Sequence, residues 1–113
     1  MECIFCEIIR GRKPCVKVYE DEHVLAFEDI HPVAPVHVLV VPKTHVASLN
    51  ELDQTGMELL AHIHWGARQV ARTKGIEGSG YRTLINTGPD ARQEVFHLHL
   101  HVLGGRPLNP ISA

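Results

Sequence analysis

The stretch Phe96-His97-Leu98-His99-Leu100-His101-Val102-Leu103 constrains the fold of this chain more than any other. Side chains alternate faces along a β-strand. A strand over 96–103 therefore carries His97, His99 and His101 on one face, and Phe96, Leu98, Leu100 and Val102 on the other. The apolar face is built to be buried. A row of imidazoles does not make a core, but imidazole is the side chain that transfers protons, attacks electrophiles and ligates metals near neutral pH. The pattern predicts a sheet with a core on one side and chemistry on the other.

The other elements follow from periodicity. Ile4, Phe5, Ile8 and Ile9 have helical spacing, and Gly11 and Pro14 end that short helix. Val16–Glu20 and His23–Glu28 alternate around the polar turn Asp21-Glu22 and predict a hairpin. His31–Pro35 holds two prolines and is a loop. His37–Val41 is a β run stopped by Pro42. Asp53–Lys74 turns helical, with Met57, Leu60, Ala61, His64, Ala67 and Ala71 as its stripe, Asp53 as cap and Gly75 as stop. Gly66 in mid-helix points to a close packing contact. Tyr81–Asn86 is a further strand, and Thr87–Gln93 is a polar loop before the histidine stretch. Strands joined by short links, with one short and one long helix, predict an α+β domain. Its sheet is mostly antiparallel and five-stranded, and the single domain spans residues 1–113.

Composition narrows the function. The chain has 113 residues, 44% hydrophobic and 21% charged, with formal net charge −2. That length supports a core without obligatory disulfides. The charge gives no basis for capturing a nucleic-acid backbone or an acidic membrane surface, and no apolar run spans a bilayer. Three cysteines leave at least one unpaired, which fits a reducing, cytoplasmic setting.

The histidine face has three readings: a solvated polar face, a His-x-His metal site, or a nucleophilic histidine with supporting imidazoles. The preceding loop favours phosphate chemistry. Asn86, Gly88, Gln93 and the backbone amides from Gly88 to Val95 stand at the strand's entrance, and such a loop presents N–H groups to an anion. Clustered imidazoles disfavour each other's protonation, which leaves a neutral nucleophile.

His97-Leu-His99-Leu-His101-Val-Leu resembles the His-φ-His-φ-His-φ-φ motif of the histidine triad superfamily, φ being an apolar residue. The resemblance extends to Ala26-Phe27-Glu28-Asp29-Ile30 with Pro32, to Ala34–Lys43, to Gly80-Tyr81-Arg82 with Asn86, and to Leu103-Gly104-Gly105-Arg106. The Gly-Gly after the triad is similar to the Hint branch, the nucleoside phosphoramidases. This resemblance implies a hydrolase of purine nucleoside phosphoramidates that works through a nucleotidyl-histidine. It implies His99 as nucleophile, with His101 and His37 flanking the phosphate. It also implies a base pocket of Ile4, Phe5, Ile8, Phe27, Ile30 and Leu39, with Asp29 on the ribose and Asn86, Gln93 and Val95 in the phosphate loop. A homodimer joining two sheets through the long helix and an edge strand is implied too, with no organic cofactor. Alternatives within the resemblance are a dinucleoside polyphosphate hydrolase, a nucleotidyl transferase, or a low-turnover nucleotide-binding scaffold. One departure is Glu94, where animal Hint enzymes carry serine; a carboxylate beside a phosphate is unfavourable unless it points away or meets a cation.

Cys3-x-x-Cys6 alone is compatible with small helix residues, a redox dithiol or half of a zinc site. The resemblance implies completion by His45 and His97 into a closed, structural zinc site. Cys15 is expected to be a small buried residue, and His23, His31, His62 and His64 carry no assigned role.

Overall fold

The computed structural model describes residues 3–111. Its β-forming runs pair into one five-stranded sheet in the order β1-β2-β3-β5-β4, antiparallel throughout. The strands are β1 Lys17–Glu20, β2 Val24–Glu28, β3 Val36–Pro42, β4 Tyr81–Leu84 and β5 Leu100–Gly104. The helices are α1 Ile4–Ile9 and α2 Glu58–Thr73. β3 is central and buried along its whole length, which is why it reads as a continuous apolar run apart from His37. The β1–β2 turn is held by Asp21, whose Oδ1 accepts from the backbone N–H groups of His23 and Val24.

Alternation along the strands divides the core in two. Val24, Ala26, Val36, Val38, Val40, Leu98, Leu100 and Val102 pack against Ile63, Ala67, Val70 and Ala71 of α2. Leu25, Phe27, Leu39 and Val41 face the opposite side, where Phe5 of α1 covers them. His37 alternates with Val36 and Val38, so it shares the α1 side with the triad histidines. Its strand lies directly beside β5, with His37 opposite Leu103 and Leu39 opposite His101.

The expected elements are all present, with shifted edges. Residues 54–57 form a 3₁₀ turn capped by Asp53, and α2 begins only at Glu58. The buried stripe of α2 is Ile63, Gly66, Ala67, Val70 and Ala71; Met57, Ala61 and His64 are exposed, because the helix is rotated so that its small residues meet the sheet. Gly66 provides the closest approach. A Cβ there would lie 3.0 Å from both Val24 Cγ2 and Val40 Cγ1.

The larger difference is at the histidine stretch. The ladder begins at Leu100, and Phe96 is 59% exposed rather than part of the apolar face. The register that pairs Val40 with Leu100 would bring Pro42 opposite Leu98, but proline has no N–H to donate. The Pro42 carbonyl instead accepts from His97 Nε2 at 2.8 Å, and the Leu98 N–H goes to the Val46 carbonyl at 2.7 Å. Alternation survives without the ladder, since Leu98 still joins the α2 core and His97 and His99 still turn away from it. Among the described residues no helix is long and apolar enough to cross a membrane.

Gly66→Val forces two branched side chains of the sheet apart. The expected loss of stability is about 1–3 kcal/mol, the usual range for overpacking, read as a lower midpoint in urea unfolding with an unchanged slope.

Candidate functional site

His99 and His101 open onto a cavity of about 620 Å³ between α1, β2, β3 and the loop before β5. Its lining includes Ile4, Phe5, Ile8, Phe27, Asp29, Ile30, Leu39, Asn86 and Val95, together with His37, His99 and His101. Of the residues expected around a ligand, only Gln93 stands apart from this lining. It is buried and braces the loop: its Oε1 accepts from the Gly88 N–H at 3.0 Å, and its Nε2 donates to the carbonyls of Ala47 and Val95. Lys13, Pro14, Cys15, Glu28, His31, Val33, Arg92 and Glu94 also line the cavity. Glu94 was marked in the sequence as a carboxylate near the phosphate loop; Lys13 and Arg92 carried no signal beyond adjacency to residues already singled out. Cys15 is half-buried there rather than a core residue.

Hydrogen bonds assign the tautomers. The backbone N–H of Val33 donates to His37 Nδ1 at 3.1 Å. Nδ1 is therefore the unprotonated nitrogen, and a neutral His37 carries its proton on Nε2. That nitrogen lies 2.9 Å from His101 Nδ1 and 3.3 Å from Asp29 Oδ2. His101 Nδ1 accepts in turn, which leaves the His101 proton on Nε2. His101 Nε2 is buried and has no partner in the protein. An unpaired buried donor is costly, and at a cavity wall it is the group a ligand satisfies. His99 is set the other way. Its Nδ1 lies 2.7 Å from the His97 carbonyl, which can only accept. Nδ1 thus donates, and Nε2 of His99 holds the free lone pair. One imidazole presents a lone pair and its neighbour a donor, with ring centroids 5.1 Å apart.

Burial pushes the pKa values of His37, His99 and His101 below the ordinary histidine value. His101 is lowered to about 4, by burial first and then by the neighbouring His99 and His37, against a raising contribution from Asp29. The three rings therefore favour the neutral state at pH 7. Asp29 holds the edge of the site: its Oδ1 accepts from the His31 N–H at 2.8 Å, and its own N–H donates to the His37 carbonyl.

A second cluster adjoins the first. Cys3, Cys6, His45 and His97 bring one ligand atom each within 4.8 Å of one another. Cys3 Sγ lies 3.3 Å from His97 Nδ1, Cys6 Sγ 3.4 Å from His45 Nδ1 and 3.6 Å from His97 Nδ1, and the two Nδ1 atoms are 3.1 Å apart. A tetrahedral ion with ordinary Zn–S and Zn–N bonds separates its donors by about 3.3–3.8 Å, close to the distances found here, so the set fits. His97 is oriented for it, because donation from Nε2 to the Pro42 carbonyl leaves Nδ1 as a lone pair facing the sulfurs. Phe5, between the two cysteines in sequence, meets His97 and His99 edge-on at 5.8 and 5.1 Å.

The chain is similar to known proteins. The family model for the HIT domain matches residues 10–108. The chain is 41% identical over 112 residues to a protein of Escherichia coli K12 named purine nucleoside phosphoramidase, covering 99% of this chain and 94% of that one. It is 44% identical over 108 residues to a 14 kDa zinc-binding protein of Zea mays, covering 94% and 84%. The crystal structure of a HIT family hydrolase from Legionella pneumophila superposes with a TM-score of 0.92 at 44% identity, covering 96% of each chain.

A lowered pKa makes a sign prediction. Between about pH 6.5 and pH 4 an unfolded histidine takes up a proton that His101 refuses in the fold, so its contribution to stability falls as pH drops through that window. In an NMR titration the His101 ring is expected to change state near pH 4; a midpoint at 6.5 or above would contradict the buried, neutral cluster.

Proposed function

The chain belongs to the HIT-domain family, and on that premise we propose that it hydrolyses purine nucleoside phosphoramidates at the P–N bond through a nucleotidyl intermediate on His99. The observation that carries this reading is the tautomer pair: a His99 Nε2 lone pair beside an unpartnered His101 Nε2–H, at the wall of a cavity with apolar lining. The base lies against Ile4, Phe5, Ile8, Phe27, Ile30 and Leu39, and the ribose hydroxyls reach Asp29. Asn86 and the backbone of the loop through Val95 approach the phosphate oxygens, while Gln93 holds that loop in shape.

The steps follow from the groups. His99 Nε2 attacks phosphorus as the P–N bond breaks, its electron pair leaving with the amine nitrogen. The bound phosphate adds negative charge beside the His37–His101 pair and so favours one extra proton on it, held by the pair rather than by either ring. His101 passes that proton to the departing nitrogen. Water then attacks the nucleotidyl-histidine, returns a proton to the pair, and releases the nucleoside monophosphate with His99 neutral again. Dividing one displacement into two gives each step an activated partner.

The same reading includes a zinc ion held by Cys3, Cys6, His45 and His97. Four protein ligands close the coordination shell, so the ion's role is to tie α1 to β3 and to the start of the triad. Phe5 and the His97 carbonyl, which shape the nucleophile's surroundings, are then fixed by the same clamp.

His99→Ala is expected to lower turnover of adenosine phosphoramidate by about a thousandfold or more while nucleotide binding, followed by calorimetry, is largely retained. Near-normal activity in that variant would remove His99 as nucleophile, and faster release from diadenosine tri- or tetraphosphate than from the phosphoramidate would move the protein to the polyphosphate hydrolases. For the metal, elemental analysis after purification without chelators is expected to give one zinc per chain, lost in Cys6→Ser together with a lower unfolding temperature. Metal-free protein with free thiols at Cys3 and Cys6 would sink the zinc reading.

A further inference from the structure

The cavity's charged lining is unevenly committed. Glu28 is paired with Lys74, and the Asp29 carboxylate is engaged by the His31 N–H and by His37. Lys13, Arg92 and Glu94 line the same cavity without an ion-pair partner among the described residues. Lys13 comes from the connection after α1. Arg92 comes from the loop between β4 and β5, the loop that leads into His97–His101 and lines the cavity beside them.

Arg92 is also the one non-glycine residue with positive φ, at 61°, among the described residues. L-residues adopt that region at a cost, and glycine is the usual occupant. Its surroundings impose it. The Arg92 N–H donates to the Pro89 carbonyl at 3.0 Å, the Gln93 N–H to the Gly88 carbonyl at 3.1 Å, and the buried Gln93 side chain locks the turn. The backbone alone would be better served by glycine. A residue held in a disfavoured backbone state beside a reacting site points to its side chain.

We propose that Arg92 is a specificity-determining residue that selects phosphoramidates whose leaving amine carries an anionic group, as an amino acid with a free carboxylate does. This rests on the hydrolase reading above. A guanidinium is a planar, permanently charged fork that matches a carboxylate in two parallel hydrogen bonds. A leaving amine with a carboxylate on its α-carbon places the carboxylate carbon two bonds, and its acceptor oxygens three bonds, from the nitrogen of the scissile P–N linkage. Glu94 gives the rim a negative group as well, so the selection lies in where the anion sits rather than in a general positive field.

The test compares kcat/KM for two adenosine 5′-phosphoramidates of the same amino acid, one with a free carboxylate and one as its methyl ester, in the wild type, Arg92→Gly and Arg92→Glu. Glycine suits the left-handed backbone, so Arg92→Gly keeps the fold, checked by thermal unfolding. The wild type is expected to favour the free acid by about tenfold, the size of one charge-assisted contact, with the ratio shrinking as salt rises. Arg92→Gly is expected to bring the ratio close to one, and Arg92→Glu to reverse it. A ratio unchanged in Arg92→Gly overturns the proposal, including the case in which both substrates lose rate equally because Arg92 serves the phosphoryl group they share. A wild type that hydrolyses neither substrate overturns the hydrolase reading, and this inference falls with it.

Discussion

The contacts of His97 hold the arrangement together. This imidazole is fully buried, at 0% exposure, and both of its ring nitrogens and its backbone carbonyl have polar neighbours. Nε2 donates to the last carbonyl of β3, Nδ1 faces Cys3, Cys6 and His45, the ring edge meets Phe5, and the backbone carbonyl holds His99. An unpaired imidazole in such a place would cost folding free energy. Paired in this way it joins α1, β3 and the entrance to β5 at one point. The short helix α1 has six residues and little stability of its own. Its position over the sheet depends on Phe5 packing into the apolar face and on its cysteines meeting His97 and His45.

From that anchor the site's electrostatics follow by hydrogen-bond logic rather than by charge. No salt bridge fixes His99. A peptide carbonyl fixes the proton on His99, a peptide N–H fixes the proton on His37, and His37 fixes His101. Backbone groups cannot change protonation state, so both ends of the chain of tautomers are set by atoms indifferent to pH. Burial then keeps the rings neutral where free histidine would begin to charge. The two neighbouring histidines thus differ in role because their backbone partners differ, one an acceptor and the other relayed from a donor.

Much of this was legible from residue order. Alternation placed Leu98, Leu100 and Val102 in the core and the histidines opposite, and Gly66 announced the close helix–sheet contact that the Cβ distances bear out. The resemblance supplied residues that share a cavity though they lie far apart in the chain, such as Phe27, Asn86 and His99. The rotation of α2 escaped because a helix rich in alanine offers more than one small-residue stripe, and only the sheet beneath selects among them. Gln93 escaped because a polar residue in a loop looks the same whether it faces a ligand or braces the backbone. Arg92 escaped because its left-handed φ depends on the Gly88–Gln93 turn and on Ala47, a distant partner.

The misjudged start of β5 bears most directly on the chemistry. Had the ladder continued to Phe96, the carbonyl of His97 would have been drawn into sheet pairing, and His99 would have lacked the acceptor that fixes its proton on Nδ1. Pro42 prevents this, since it ends β3 without an N–H to offer. Its carbonyl takes the His97 ring instead of a ladder partner, and Leu98 finds Val46. The proline that stops one strand therefore releases its neighbour's residues before Leu100 from sheet geometry, while the side chains of His97, Leu98 and His99 keep alternating. One released residue turns its ring to the cysteines and its carbonyl to the His99 ring. The cysteine–histidine cluster and the cavity histidines can then share a single short segment, because the segment carries histidine side chains as a strand would and leaves the backbone bonds of a strand unmade.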